Sequence, residues 1–83
     1  MKELKDTIEG MTSADYKERF KAEYNQVAIR FNKLLTMIMK YNCGELDFTP
    51  SCDIELLRLQ VMAMDTYRAI LEYRAKIEGI NLD

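Results

Sequence analysis

Hydrophobic residues recur through the first half of the chain at alternating steps of four and three. They occupy three consecutive heptads without an intervening glycine or proline, at Phe20, Tyr24, Val27, Phe31, Leu34, Ile38 and Tyr41. This spacing predicts one long helix whose apolar stripe needs a partner helix. Asp15, in a cluster of cap-forming residues and three positions before Glu18, predicts its start. Asn42-Cys43-Gly44 predicts its end.

A second helix is predicted from about Ser51 to Glu78, with Pro50 in its first turn and a cap at Thr49 or Ser51. It carries two seams. One consists of Ile54, Leu57, Val61, Met64, Arg68, Leu71 and Ala75, and the other of Leu56, Gln60, Ala63, Tyr67, Ile70, Arg74 and Ile77. Because the loop between the helices is short, we expect an antiparallel pair in which one seam faces the first helix and the other stays uncovered.

The chain before these helices is short and charged. Residues 1–9 could form a helix that ends at Gly10 in a left-handed cap. We therefore expect a short N-terminal helix or arm over residues 1–12 and a helical hairpin domain over residues 13–83. The predicted fold class is all-α, an antiparallel helical hairpin with a short N-terminal helix.

The hydrophobic content exceeds what one small domain can bury. Hydrophobic residues make up 48% of the 83 positions, and a domain of this size has little interior. In a monomer, solvent would reach the uncovered seam of the second helix and three residues of the first helix, Leu35, Met37 and Met39. We therefore expect assembly into a homo-oligomer, of which a dimeric four-helix bundle is the simplest form.

Charge and hydropathy exclude several partners. The 12 basic and 14 acidic residues leave a net charge of -2, so no global positive field attracts a DNA or RNA polymer or an anionic membrane. No apolar run is long enough to span a membrane, and the charged N-terminal residues do not resemble a secretory signal. We expect a soluble protein in the cytoplasm.

Residue types also argue against catalysis and metal binding. The chain has no histidine, and Cys43 and Cys52 are too few for a zinc site. The commonest general base is therefore missing, and the carboxylates Asp65 and Glu72 have the spacing of a solvated helix face. We expect no enzymatic activity, no metal and no cofactor. The cytosolic setting favours reduced thiols, although a disulfide across the loop is geometrically conceivable.

Aromatic and basic residues are close together in sequence at the start of the first helix, at Tyr16, Lys17, Arg19, Phe20 and Lys21. An aromatic ring can stack on a base while cations and free helix N–H groups hold phosphate, so this cluster has the chemistry of a site for a phosphorylated ring system. Alternatively, Arg19 pairs with Glu23 one turn later, and the charges neutralise one another.

Other basic residues leave two interpretations open. Arg30 and Lys33 lie where the first helix has no acidic residue, which fits either an anion site or a solvated face. Arg68 and Arg74 fall on the seams of the second helix. A charge on a seam costs stability unless it is paired or hydrated. Each arginine therefore indicates a polar cavity, a symmetry axis, or a guanidinium that reaches water at the seam edge.

Both helices resemble a known family, the small phage-encoded cyclic-nucleotide sponges that inhibit CBASS immunity and whose helical hairpin also occurs in Thoeris-inhibiting sponges. In the first helix the resemblance rests on Asp15-Tyr16-Lys17-Glu18-Arg19, Glu23, Arg30 and Lys33-Leu34. In the second helix it rests on Leu56-Leu57, Gln60, Met64, Tyr67, Leu71 and Arg74. It covers about residues 15–75, and residues 1–14 fall outside the pattern.

The resemblance implies a phage or prophage protein that forms a compact homo-oligomer, typically a hexamer, and sequesters cyclic di- or trinucleotides without degrading them. In that family an aromatic residue near the start of the first hairpin helix stacks on bases, and basic side chains from adjoining subunits hold the phosphates. Arginines of the second helix line a separate pocket near a threefold axis.

Carried over to this sequence, the resemblance implies a role for each candidate ligand-binding residue. Tyr16 matches the stacking residue. The candidate phosphate contacts are Arg19, Arg30 and Lys33, and the candidate axial arginine is Arg68 or Arg74. The leading hypothesis is therefore a sponge for cyclic oligonucleotides. The alternative is a helical adaptor that binds a host protein through the open apolar seam.

Overall fold

The computed structural model describes residues 2–83 and contains helices as its only regular structure over that range. A 3-10 helix, η1 (Leu4–Thr7), continues into the short α1 (Ile8–Met11). Two long helices follow, α2 (Tyr16–Asn42) and α3 (Ile54–Glu78). The start of α2 meets the end of α3, so these two helices form an antiparallel hairpin. The all-α fold predicted from the heptad spacing is confirmed.

Helix α2 begins and ends where the sequence predicts. Asp15 is its N-cap, and the Asp15 Oδ1 atom accepts the backbone N–H of Lys17 at 3.0 Å. At the other end, the Glu45 N–H donates to the Lys40 carbonyl at 2.8 Å. Gly44 has a φ of 73° there, a left-handed conformation that favours glycine.

Helix α3 begins three residues later than predicted, at Ile54 rather than Ser51. Its N-cap is Asp53, whose Oδ1 accepts a first-turn N–H at 3.3 Å, so the expectation of a cap at Thr49 or Ser51 is wrong. Asp53 both caps the first turn and places a carboxylate at the positive end of the helix dipole. The end of α3 at Glu78 is as predicted.

The core lies between α2 and the C-terminal half of α3. Its buried members are Phe20, Val27, Leu71, Ala75 and Ile80, and Tyr24, Met64 and Leu82 pack against them. Ile80 enters the core although it follows the helix, because its N–H donates to the Ala75 carbonyl at 2.9 Å and turns the chain back. The core cluster therefore lies in the half of the hairpin where α2 begins.

The structure decides which seam of α3 is covered. The seam that contains Val61, Leu71 and Ala75 faces α2 and is buried or half-buried along its length. The other seam is exposed. Together with its flanks it forms what we call the outer face of α3, with exposed side chains at Leu56, Leu59, Met62, Tyr67, Ile70, Tyr73 and Ile77. On α2, Met39 is exposed as expected, whereas Leu35 and Met37 are half-buried.

The N-terminal segment packs against α2 and not against α3. The prediction that Gly10 ends its helix in a left-handed cap is wrong, because Gly10 lies inside α1 and has no positive φ. Instead, the glycine allows α1 to lie close to α2. A Cβ atom at Gly10 would lie 2.9 Å from the Cβ of Ala22. Thr7 is buried in the same contact region and donates its hydroxyl to the Leu4 carbonyl at 2.7 Å.

Candidate functional site

Four side chains meet where the start of α2 passes the end of α3: Tyr16, Phe20, Arg74 and Glu78, which we call the Tyr16 cluster. The Tyr16 hydroxyl donates to Glu78 Oε1 at 2.7 Å, and Arg74 Nη2 donates to the Tyr16 oxygen at 3.1 Å. Arg74 Nε donates to Glu78 Oε2 at 3.3 Å. The Arg74 Cζ atom lies 5.0 Å from the centroid of the Phe20 ring. The Tyr16 ring and the Arg74 guanidinium are therefore adjacent, an arrangement that suits a phosphorylated base.

The Tyr16 cluster has one buried ring and one exposed ring. Phe20 is 2% exposed and belongs to the core, whereas Tyr16 is 46% exposed. The two rings meet edge to face with 6.2 Å between their centroids. The hydrogen bond to Glu78 raises the pKa of Tyr16, and the same bond lowers the pKa of Glu78. At neutral pH the phenol is therefore protonated and the carboxylate ionised.

Arg19 lies one turn along α2 from Tyr16 and bonds the chain that precedes the helix. Its Nη1 donates to the Ser13 carbonyl at 2.8 Å. Arg19 does not pair with Glu23, which was the alternative interpretation. Glu23 instead accepts a hydrogen bond from Tyr67 of α3. The exposed Arg19 guanidinium thus keeps its remaining N–H groups at the same end of the hairpin as Tyr16.

Arg68 is the centre of a second cluster, farther along the hairpin. Its Nη1 lies 2.9 Å from Glu72 Oε2, its Nη2 lies 2.7 Å from Asp65 Oδ1, and its Cζ lies 5.0 Å from the Phe31 ring centroid. Tyr24 also donates to Glu72, at 2.6 Å. Asp65 and Glu72 do not form a merely solvated face, as their spacing suggested, because they neutralise Arg68. The buried Nε of Arg68 has no hydrogen-bond partner within residues 2–83.

Arg30 and Lys33 are exposed on the middle of α2. No carboxylate of residues 2–83 lies within 4.0 Å of either cation. Arg30 follows Tyr16 by 14 positions in one straight helix, which places it about 21 Å farther along the axis. The structure therefore bonds Arg74 to Tyr16 and places Arg19 at the same end of the hairpin, whereas Arg30 and Lys33 lie farther along α2.

The acidic partners of the tyrosines were missed by reasoning from the sequence. Glu23, Glu72 and Glu78 each accept a hydrogen bond from a tyrosine of the opposite long helix. Helical spacing shows which residues share a face, but it does not show the register between two helices. No signal in the sequence identifies these pairs without that register.

Comparison with known proteins covers these clusters except for Glu78. A family model described as Sequestin matches residues 14–77. The chain belongs to the Sequestin family. The match confirms the resemblance to cyclic-nucleotide sponges, and membership implies sequestration rather than catalysis. All six candidate binding residues lie inside the matched range, and the N-terminal segment lies before it. No curated protein and no solved structure matches the chain.

Residues 2–83 contain neither a cluster of metal-ligating side chains nor a membrane-spanning helix. No group of three or more cysteine, aspartate or glutamate side chains is placed to hold a metal ion in this part of the chain. Each helix of the same range is too short or too polar to span a bilayer. Cys43 and Cys52 are exposed free thiols.

Proposed function

We propose that this chain is a phage-encoded sponge that binds cyclic di- or trinucleotide second messengers and sequesters them without cleavage, thereby inhibiting CBASS-type immune signalling. Its place of action would be the cytoplasm of the infected bacterium. The observation that carries the proposal is the Tyr16 cluster, where an exposed ring stands beside a guanidinium inside the range matched by the Sequestin family. Such a function needs affinity and no catalytic group.

Stacking and charge would supply that affinity. The Tyr16 ring offers an accessible face to a base, and the packed Phe20 beneath it limits the motion of the ring. Arg74 offers N–H groups to a phosphate beside that base, and Arg19 adds a second cation one helical turn away. A ligand that carries both rings and phosphates suits this arrangement better than either group alone.

A single copy does not complete this site. Arg30 and Lys33 are too far along α2 to reach a ligand stacked on Tyr16 of the same chain. In our proposal they hold phosphates of a ligand bound at Tyr16 of a neighbouring copy. The outer face of α3 is the surface that we assign to contacts between copies, because it exposes a continuous row of apolar side chains. The proposed assembly is a homohexamer.

Arg68 has a separate part in the proposal. Its guanidinium is already bound to two carboxylates, and it would line a second pocket where symmetry-related copies meet. The proposed binding unit is the hairpin over residues 13–83. Residues 1–12 would form an arm that adds to the stability of α2 and leaves the Tyr16 cluster open.

Calorimetry with a panel of cyclic di- and trinucleotides tests the proposal directly. The expected result is saturable heat with at least one member and recovery of that nucleotide unchanged after the protein is unfolded. Linear nucleotides with the same bases serve as the control for non-specific binding of anions. The absence of heat with every cyclic nucleotide would refute the proposal. Recovery of a cleaved product would show that the protein is an enzyme and not a sponge.

The exposed outer face of α3 also favours a second candidate, a helical adaptor that binds a host protein. Measurement of mass in solution separates the two candidates. A closed homo-oligomer covers that face and supports the sponge, whereas a monomer leaves it free and supports the adaptor.

A further inference from the structure

Glu78 occupies an unusual position for a carboxylate. It is the last residue of α3, where the helix dipole favours cations and disfavours anions. Nothing in its own helix except Arg74 compensates this charge within the described residues. Its two oxygens instead accept from the Tyr16 hydroxyl at 2.7 Å and from Arg74 Nε at 3.3 Å. The carboxylate is held by the two groups that the proposed function assigns to the ligand.

The chemistry of these contacts is the chemistry of phosphate recognition. A carboxylate and a phosphate both present paired anionic oxygens to the N–H groups of an arginine. One oxygen of Glu78 therefore occupies the Nε–H of Arg74, where an oxygen of a ligand phosphate could bind instead. The Arg74 to Glu78 contact is long, partly exposed and located in a terminal helical turn, so it is easily exchanged.

We propose that Glu78 is a placeholder for the ligand phosphate: it occupies the Nε–H of Arg74 in the free protein, and binding displaces it. This inference rests on the proposed function, since it concerns the same site. It adds a specificity determinant, because an anion must compete with a tethered carboxylate. A ligand that also stacks on Tyr16 can do so, whereas an isolated phosphate competes poorly.

Glu78→Gln separates the charge of this residue from its shape. The glutamine retains a carbonyl oxygen that accepts the Tyr16 hydrogen bond, so the ring stays in place, while the competing negative charge is removed. The matched control is Glu72→Gln, which makes the same change in the second cluster, where Glu72 bridges Tyr24 and Arg68. Both variants change the net charge by one unit, so any general effect of charge appears in both.

The test is an NMR titration of the Arg74 side-chain Nε–H resonance with inorganic pyrophosphate, assigned with the Arg74→Lys variant. In Glu78→Gln we expect the midpoint to fall about threefold to tenfold below that of the wild type, the range that corresponds to one exposed charge contact and its hydrogen bond. In Glu72→Gln the Arg74 midpoint should stay at the wild-type value. Melting temperatures confirm that both variants are folded.

Three results would overturn the inference: an unchanged midpoint in Glu78→Gln, an equal fall in both variants, or no response of Arg74 to pyrophosphate in Glu78→Gln. The titration does not depend on any cyclic nucleotide. If calorimetry finds no cyclic ligand but Arg74 responds as expected, the proposed function fails and the placeholder stands. If a cyclic nucleotide binds the wild type and Glu78→Gln shows no gain, the placeholder alone fails.

Discussion

The phenol oxygen of Tyr16 lies 2.7 Å from a carboxylate oxygen of Glu78, although 62 positions separate the two residues in the chain. The same kind of bond joins Tyr24 of α2 to Glu72 of α3. A third bond runs in the opposite direction, from Tyr67 of α3 to Glu23 of α2. Tyrosine hydroxyls that are hydrogen-bonded to carboxylates therefore flank the apolar core and connect the two helices in the part of the hairpin where α2 begins and α3 ends.

These bonds predict an abnormal alkaline titration. Hydrogen bonding to the carboxylates raises the pKa of Tyr16 and of Tyr67 above the ordinary value of 10.0, and burial followed by the bond to Glu72 raises the pKa of Tyr24. In a spectrophotometric titration we expect Tyr16, Tyr24 and Tyr67 to ionise above pH 10.0 in the folded protein. In urea these three tyrosines should ionise near the ordinary value.

The stability of the hairpin should follow the same titration. A pKa that is higher in the folded state means that the contribution is complete below the unfolded value near 10.0 and is lost as pH rises through the folded value. Melting temperatures should therefore fall more steeply above pH 10 in the wild type than in Tyr24→Phe, which has one such phenol fewer. Parallel curves for the two proteins would contradict the assignment.

Tyr16 offers a prediction about ligand affinity. Tyr16→Ala removes the stacking surface and should weaken binding of a cyclic nucleotide by about tenfold to a hundredfold, while the oligomer stays intact. Tyr16→Phe keeps the ring and loses only the hydroxyl, so its affinity should stay much closer to that of the wild type. Calorimetry measures both affinities. If Tyr16→Ala binds as well as the wild type, Tyr16 is not in the site.

The separation of Arg30 from Tyr16 predicts complementation between copies. Tyr16→Ala and Arg30→Ala chains should each bind poorly alone, because each lacks one half of every composite site. When the two are unfolded together and refolded, mixed assemblies should recover a fraction of the wild-type sites. Calorimetric stoichiometry of the mixture measures this fraction. Recovery no greater than the sum of the separate variants would mean that both residues act within one copy.

Gly10 offers a prediction about the N-terminal segment. A methyl group in Gly10→Ala would meet the Ala22 Cβ at 2.9 Å and the Glu18 carbonyl oxygen at 3.3 Å, so α1 must shift away from α2. We expect a loss of about 1–3 kcal/mol in the free energy of unfolding measured with urea. In an Ala22→Gly background the same substitution should cost much less, because the opposing methyl group is gone. An equal cost in both backgrounds would show that this contact is not the cause.

The outer face of α3 should control assembly. Ile70 is 52% exposed in the single chain, and Ile70→Lys would place a charge within the proposed contact between copies. We expect assembly to weaken about tenfold or more and the mass in solution to fall, without loss of helix. Phe48→Lys is the matched control, because Phe48 is a similarly exposed apolar residue in the connecting loop. The same fall in mass for both variants would remove the outer face from the interface.

Hydrophobic periodicity and capping residues, which we call the local rules, were enough to predict the two long helices. Heptad spacing from Phe20 onward and the cap at Asp15 located α2 correctly, and the glycine after Glu78 marked the end of α3, because periodicity and capping depend on neighbours in sequence. Local rules were less reliable where several residues could cap the same helix, so Asp53 was missed as the cap of α3. They also assigned Gly10 to a left-handed helix cap, whereas the close approach of Ala22 explains the glycine.

Contacts between the helices depend on the register and the rotation of α3 relative to α2. Only the tertiary structure defines these two quantities. The sequence showed two seams on α3 with similar spacing, and only packing against α2 determined that Leu71 is buried and Ile70 exposed. The same packing brought Arg74 to Tyr16, whereas the separation of about 21 Å between Tyr16 and Arg30 follows from the rise of a single helix. Spacing within one helix contains no information about the register of a second helix. The tyrosine and carboxylate pairs that surround the candidate site therefore required the tertiary structure.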